Sequence, residues 1–202
     1  KRFVQTVSYL PHFISWVVVS GIIFAFLSED GGVINVLLQS VFSVEKPVSF
    51  LTDAKYFWGI AVISDAWKEF GWWAIIFISA ITVIDPNLYE AASIDGAGRL
   101  SKIKNITLPG IKGAICIVLI LSIGNLLGGG LSGSNFEQSY LMGNGLNNDA
   151  SEVIQTYVLK TGLVTARYSF ATAVSIFQSI FSVILVLLSN LTLKKVRGES
   201  LF

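Results

Sequence analysis

Three stretches of this chain run for more than twenty residues without an aspartate, glutamate, lysine or arginine. They lie between Arg2 and Glu29, Lys112 and Glu137, and Arg167 and Lys194, and are 26, 24 and 26 residues long. Roughly 20 apolar residues, rising about 1.5 Å each, cross about 30 Å of hydrocarbon. In lipid such stretches must be helices, because an unpaired backbone amide there costs several kcal/mol. Charged residues make up 13% of the chain, against about a quarter in soluble domains. The expected fold is therefore all-α, a polytopic membrane helix bundle.

A fourth segment, 58–84, is apolar at both ends and carries Asp65, Lys68 and Glu69 in its middle. As one straight helix it would be about 40 Å long, so a tilt or a break near Gly71 is expected. The spans then lie at about 7–27, 58–84, 113–132 and 168–193. The amino end, 85–112 and the carboxyl end hold nine basic residues; the loops 28–57 and 132–167 hold Lys46, Lys55, Lys160 and Arg167. This bias places both ends of the chain and 85–112 in the cytoplasm. A short amphipathic helix is expected at 33–42, on the membrane surface. The scattered basic residues leave no nucleic-acid footprint. One cysteine, Cys116, and one histidine, His12, argue against a disulfide framework or a clustered metal site. His12 is expected to bond a neighbouring helix or the headgroup region.

The inner segment is the most informative. Asp85-Pro86 reads as a helix start, a side-chain acceptor followed by a residue with preset φ and no amide to satisfy. Leu88, Ala91, Ala92 and Asp95 share one helix face. Gly96 and Gly98 can stop that helix and turn the chain. A second short helix can follow over 99–106, and Pro109 suits the first turn of the next span. The result is a compact helical knob.

The spacing Glu90-Ala91-Ala92, three residues, Gly96, nine residues, Ile106, one residue, Leu108-Pro109 resembles the EAA loop of ABC-importer permeases. In more detail, the stretch 4–16, Trp67-Lys68-Glu69, 89–97, Phe136-Glu137-Gln138 and Thr156-Tyr157-Val158 resemble the polysaccharide and oligosaccharide branch of the sugar permeases. The resemblance implies that Glu90, Ala91, Ala92, Gly96, Ile106, Leu108 and Pro109, within a coupling loop at 85–109, dock on a cytoplasmic ATPase subunit. It implies a second, non-identical permease subunit, an extracytoplasmic solute-binding protein and a sugar substrate, in the inner membrane. Such permeases usually have six spans. Four are found here, and the chain opens on Lys1-Arg2 rather than methionine, so two amino-terminal spans are expected to be missing.

An ionisable residue at mid-membrane depth costs at least about 2.5 kcal/mol unless paired or wet. Asp65, Lys68 and Glu69 are therefore candidates for the substrate pathway, or members of an ion pair that only tolerates depth. Trp67, Trp72 and Trp73 beside them suit either sugar stacking or the membrane interface. Asn125 and Gln178 are polar residues within spans, suited to interhelical hydrogen bonds or to substrate. The glycines at 128–130 lack the lysine and hydroxyl of a phosphate loop and suit a bend. With no nucleophile set, metal spacing or nucleotide loop, the chain is expected to be no enzyme and to need no cofactor, ATP being bound by a partner. On residues alone, three rivals stay open: a permease for another solute, such as a glycerophosphate or peptide, an ion-coupled carrier using Asp65, Lys68 and Glu69, and a structural membrane scaffold. The orientation is testable by thiol labelling after Cys116→Ser. A cysteine at Ser101 should react only from the cytoplasmic side and one at Asn147 only from outside; the reverse pattern would invert the topology.

Overall fold

The computed structural model describes residues 2–126 and 134–197. The 128–130 glycines and the end of the 113–132 segment fall outside them, as does the Asn125 side chain. All regular structure among the described residues is helical. In chain order the helices are α1 (Arg2–Tyr9), α2 (Trp16–Leu27), α3 (Val33–Phe42), α4 (Ala54–Thr82), α5 (Pro86–Ile94), α6 (Arg99–Lys102), α7 (Leu108–Gly110), α8 (Lys112–Leu126), α9 (Ser134–Met142), α10 (Asn148–Ser151), α11 (Ile154–Leu159) and α12 (Tyr168–Arg197). A 3₁₀ turn, Leu10–Phe13, follows α1, and π-turns lie at Ile103–Thr107 and Lys160–Val164.

Among the described residues one helix, Tyr168–Lys194 within α12, is by itself long and apolar enough to cross a membrane, and only 6% of its apolar window is buried within the chain. That surface needs lipid or another helix to cover it. Three bent pairs pass the same test when taken together, Phe3–Phe13 with Trp16–Leu27, Ala54–Thr82 with Pro86–Ile94, and Arg99–Gly110 with Lys112–Gly124.

The first of these departs from the expected continuous helix over 7–27. Pro11 interrupts the apolar run, and a proline inside a helix loses one hydrogen bond and clashes with the carbonyl four residues back. The chain tightens into the Leu10–Phe13 turn, extends at Ile14, and restarts at Ser15, whose hydroxyl caps α2 by accepting from the Val18 amide. The two halves meet at 99°. By contrast α4 is a single 29-residue helix that passes Gly71 without a break. Asp53 caps its start, and Lys55, bonded to that carboxylate, holds Asp53 below the usual carboxylate range. The missing side chain of Gly71 serves close packing instead, since a Cβ there would overlap the Ser8 and Tyr9 backbone of α1.

The small apolar core, Phe57, Ala61 and Met142 with Ile23, Ile60 and Ala150, joins α4 to α2, α9 and α10. The 134–165 region, expected as a loop, is a series of short helices held by polar side chains. Gln138 on α9 donates to the Ala61 carbonyl at 2.9 Å and to Ser64 Oγ at 3.1 Å. Asn147, 2% exposed, donates to the Leu51 and Met142 carbonyls and accepts from the Asn144 amide. A label for this region therefore belongs at the exposed Gly145 rather than at Asn147. On the other side α8 packs on α12, where the Ser182 hydroxyl donates to the Gly124 carbonyl at 2.8 Å.

Asn147→Leu removes one donor group and one acceptor; the Leu51 carbonyl keeps its bond from Asn144, but the Met142 carbonyl loses its side-chain donor and the Asn144 amide its acceptor, at about 1–3 kcal/mol for a buried group left unpaired. Thermal unfolding in detergent should show a clear loss of stability, whereas Leu146→Ala, at an exposed neighbouring position, should change it little. Equal stability of wild type and Asn147→Leu would contradict this account of the region.

Candidate functional site

Helix α4 ends at Thr82 and turns by 70° into α5, the first limb of the knob. Asp85 caps α5 as expected, its carboxylate accepting from the Asn87 amide at 2.9 Å, with Pro86 at the first helical position. The other end is closed by Gly96 at φ +74°, left-handed backbone that a Cβ would strain. There the Gly96 amide donates to the Ser93 carbonyl and the Ala97 amide to the Ala92 carbonyl at 2.8 Å, the paired bonds of a Schellman stop. Gly98 caps α6, and helical structure then continues from Arg99 to Gly110 as the second limb. Its π-turn ends just before Pro109, where the ladder must skip an amide. Pro109 therefore lies in the last turn of the knob, ahead of the bend at Ile111, and not in the first turn of α8 as expected.

The limbs are tied to each other. Tyr89 Oη and Thr107 Oγ1 share a hydrogen bond of 2.9 Å, and Lys102 Nζ donates to Ser93 Oγ. No residue of α5, α6 or α7 is buried, so the knob stands clear of the bundle. Among the expected docking residues, Glu90, Ala91, Gly96, Leu108 and Pro109 are exposed, while Ala92 and Ile106 are half-buried between the limbs. The structure adds two that sequence spacing missed: Ile94 is 88% exposed and Leu100 is 82% exposed at the tip. Two large apolar side chains flanking a tight turn were the available signal.

The expected pathway residues on α4 separate into two sets. Trp67 lines an apolar groove of about 690 Å³ with Val19, Ile23, Phe26 and Ile63. Lys68, Glu69 and Trp72 face α1 and the 3₁₀ turn. Lys68 is buried; its Nζ donates to the His12 carbonyl, lies 3.5 Å from Glu69 Oε1, and sits 5.6 Å from the centre of the Trp16 ring. Glu69 Oε2 meets His12 Nδ1 at 2.8 Å. The Trp72 ring stacks on His12 at 4.4 Å and 7°. So the charged pair is committed to protein partners, and His12 bonds a neighbouring helix, one of the two expected roles. Asp65 and Trp73 are half-buried on the same helix. Gln178, on α12, lines a separate groove of about 580 Å³ with Glu152, Tyr157, Phe177 and Phe181. Asp65, Lys68 and Glu69 are not gathered with Trp67 or with Gln178 in either groove.

Residues 1–198 match the family model of the binding-protein-dependent transport system inner membrane component. The polygalacturonan/rhamnogalacturonan transport system permease protein YteP and the protein LplB, both of Bacillus subtilis strain 168, are each 43% identical over all 202 residues. The chain spans 61% of the length of each. Among solved structures, a chain of the bacterial alginate ABC transporter in complex with alginate pentasaccharide-bound periplasmic protein superimposes with a TM-score of 0.90 at 38% identity, over 99% of this chain and 67% of that one. With a family model covering nearly the whole sequence and an all-helical fold built around an exposed knob, this chain belongs to the inner-membrane components of binding-protein-dependent transport systems.

Proposed function

We propose that this chain is a transmembrane permease subunit of an ATP-driven, binding-protein-dependent importer of oligosaccharides or related sugars. The carrying observation is the knob over 85–109, internally tied, free of the bundle and apolar at its tip. In this reading it lies in the cytoplasm, as do both ends of the chain, and docks on an ATPase subunit. The chain supplies half of a translocation pathway to a second, non-identical permease. An extracytoplasmic binding protein delivers the sugar, and the ATPase partner binds and hydrolyses ATP. No covalent step falls to this chain. The sugar class is supported by the names of similar proteins and by the aromatic lining of the two grooves. Trp67 and Gln178 are the proposed pathway residues that line grooves; Asp65, Trp73 and Asn125 are proposed as further members of the pathway.

Coupling requires that the knob dock differently in the two states of the transporter. Reversing a 1:99 equilibrium takes about 5.5 kcal/mol. Burying an aliphatic side chain is worth about 1.5–3 kcal/mol, so Leu88, Ile94 and Leu100 together are of the required size. Rim charges such as Glu90 contribute less, since exposed pairs are worth about 0–1 kcal/mol.

Gly96→Val forces a β-branched residue into left-handed backbone at about 1–2 kcal/mol, and its position is exposed with open space around it. The variant should insert normally, co-purify with clearly less ATPase, and lose sugar-stimulated hydrolysis in liposomes. Glu90→Ala should act in the same direction more weakly. Normal ATPase association with normal transport in Gly96→Val would overturn the docking role.

A further inference from the structure

The charged middle of α4 has a position that the docking reading leaves unused. Lys68 touches both sides of the 99° break, the His12 carbonyl before it and the Trp16 ring after it. Glu69 holds the His12 imidazole, and Trp72, one turn after Lys68, stacks on the face of the same ring, with Phe13 edge-on to the indole at 6.3 Å. Gly71, between them, lets the Ser8 and Tyr9 backbone lie directly on α4. Thus α1, the 3₁₀ turn and the first residue of α2 are all fastened to four residues of one helix, Lys68, Glu69, Gly71 and Trp72.

That helix also carries the knob. From Lys68 to Thr82 there is neither glycine except Gly71 nor proline, a length of about 21 Å at helical rise, followed by the short turn into α5. A force on the knob therefore reaches the cluster through a helix with no hinge after Gly71. A broken span, unlike a straight one, does not follow its neighbour unless something joins the pieces. Here the joining groups are a lysine and a glutamate that would otherwise be out of place at depth.

We infer that Lys68 and Glu69, with His12 and Trp16, form a clamp across the break that carries the knob's displacement along α4 into the first span. These are positioning residues, and the inference rests on the permease reading above.

The test uses the assembled transporter in liposomes and measures sugar moved per ATP hydrolysed. His12→Ala should leave assembly and basal hydrolysis near wild type while that ratio falls at least about fivefold, the lower range of coupling between sites. Glu69→Ala, which also removes the contact with Lys68, should lower it at least as far, and the double variant should lose less than the two single changes combined, because both remove the His12–Glu69 bond. In a Cys116→Ser background, His12→Cys with Glu69→Cys should be uncoupled when reduced and regain coupling when bridged by a short bifunctional thiol reagent. A role confined to folding would lower yield and hydrolysis together at an unchanged ratio. That result, or failure of the bridge to restore the ratio, would overturn the clamp. If wild type itself showed no ATP-driven sugar uptake, the permease reading would fail instead.

Discussion

A lysine ammonium with 7% of its side chain exposed, in the middle of a 29-residue apolar helix, has to be answered by the surrounding structure. Left unpaired, a buried charge costs several kcal/mol. Lys68 is answered from three directions: a backbone carbonyl of the 3₁₀ turn, the neighbouring Glu69 and the face of Trp16. The carbonyl is available because Pro11 has broken the helix there, so the break and the charge belong to one arrangement. A continuous helix over 7–27 would have used its own carbonyls and offered none to Lys68. Gly71 then sets how closely the two elements approach.

The same helix divides the molecule into two ends. At its start, Asn144 and Asn147 hold the Leu51 carbonyl, and the short helices of 134–165 gather there. At its finish lies the knob, whose two limbs are held by side-chain bonds to each other and not by the bundle. A part built that way can be pushed as a unit, which suits a docking element more than a connecting loop.

How much of this was legible in the sequence depends on how local the cause is. The start of α5 at Asp85-Pro86 and its stop at Gly96 were readable, because capping and left-handed backbone involve residues within a turn of one another. So were α3 over Val33–Phe42 and the long α12. The break before α2 was also present in the sequence as Pro11 but was outweighed by the length of the apolar run. The partnership of His12 with Glu69, 57 positions apart, has no local signature. Nor does the bond from Asn147 to Leu51, 96 positions away, that turns an expected loop into packed helices. The grouping of Trp67 with Trp72 failed for a reason that spacing already contains. Five residues are about 140° around a helix, so the two rings face different neighbours, whereas Lys68 and Trp72, four apart, face the same one.

The central claim is that the 85–109 knob meets the ATPase. The most direct measurement is site-specific photo-crosslinking in membrane vesicles holding the assembled transporter. A photoreactive residue replaces Leu100 at the tip of the knob or, in a second variant, the exposed Tyr140 near the opposite end of α4. The account predicts an adduct with the ATPase subunit from position 100 and none from position 140. An ATPase adduct from position 140, or none from position 100 in a transporter that still hydrolyses ATP and imports sugar, would contradict it.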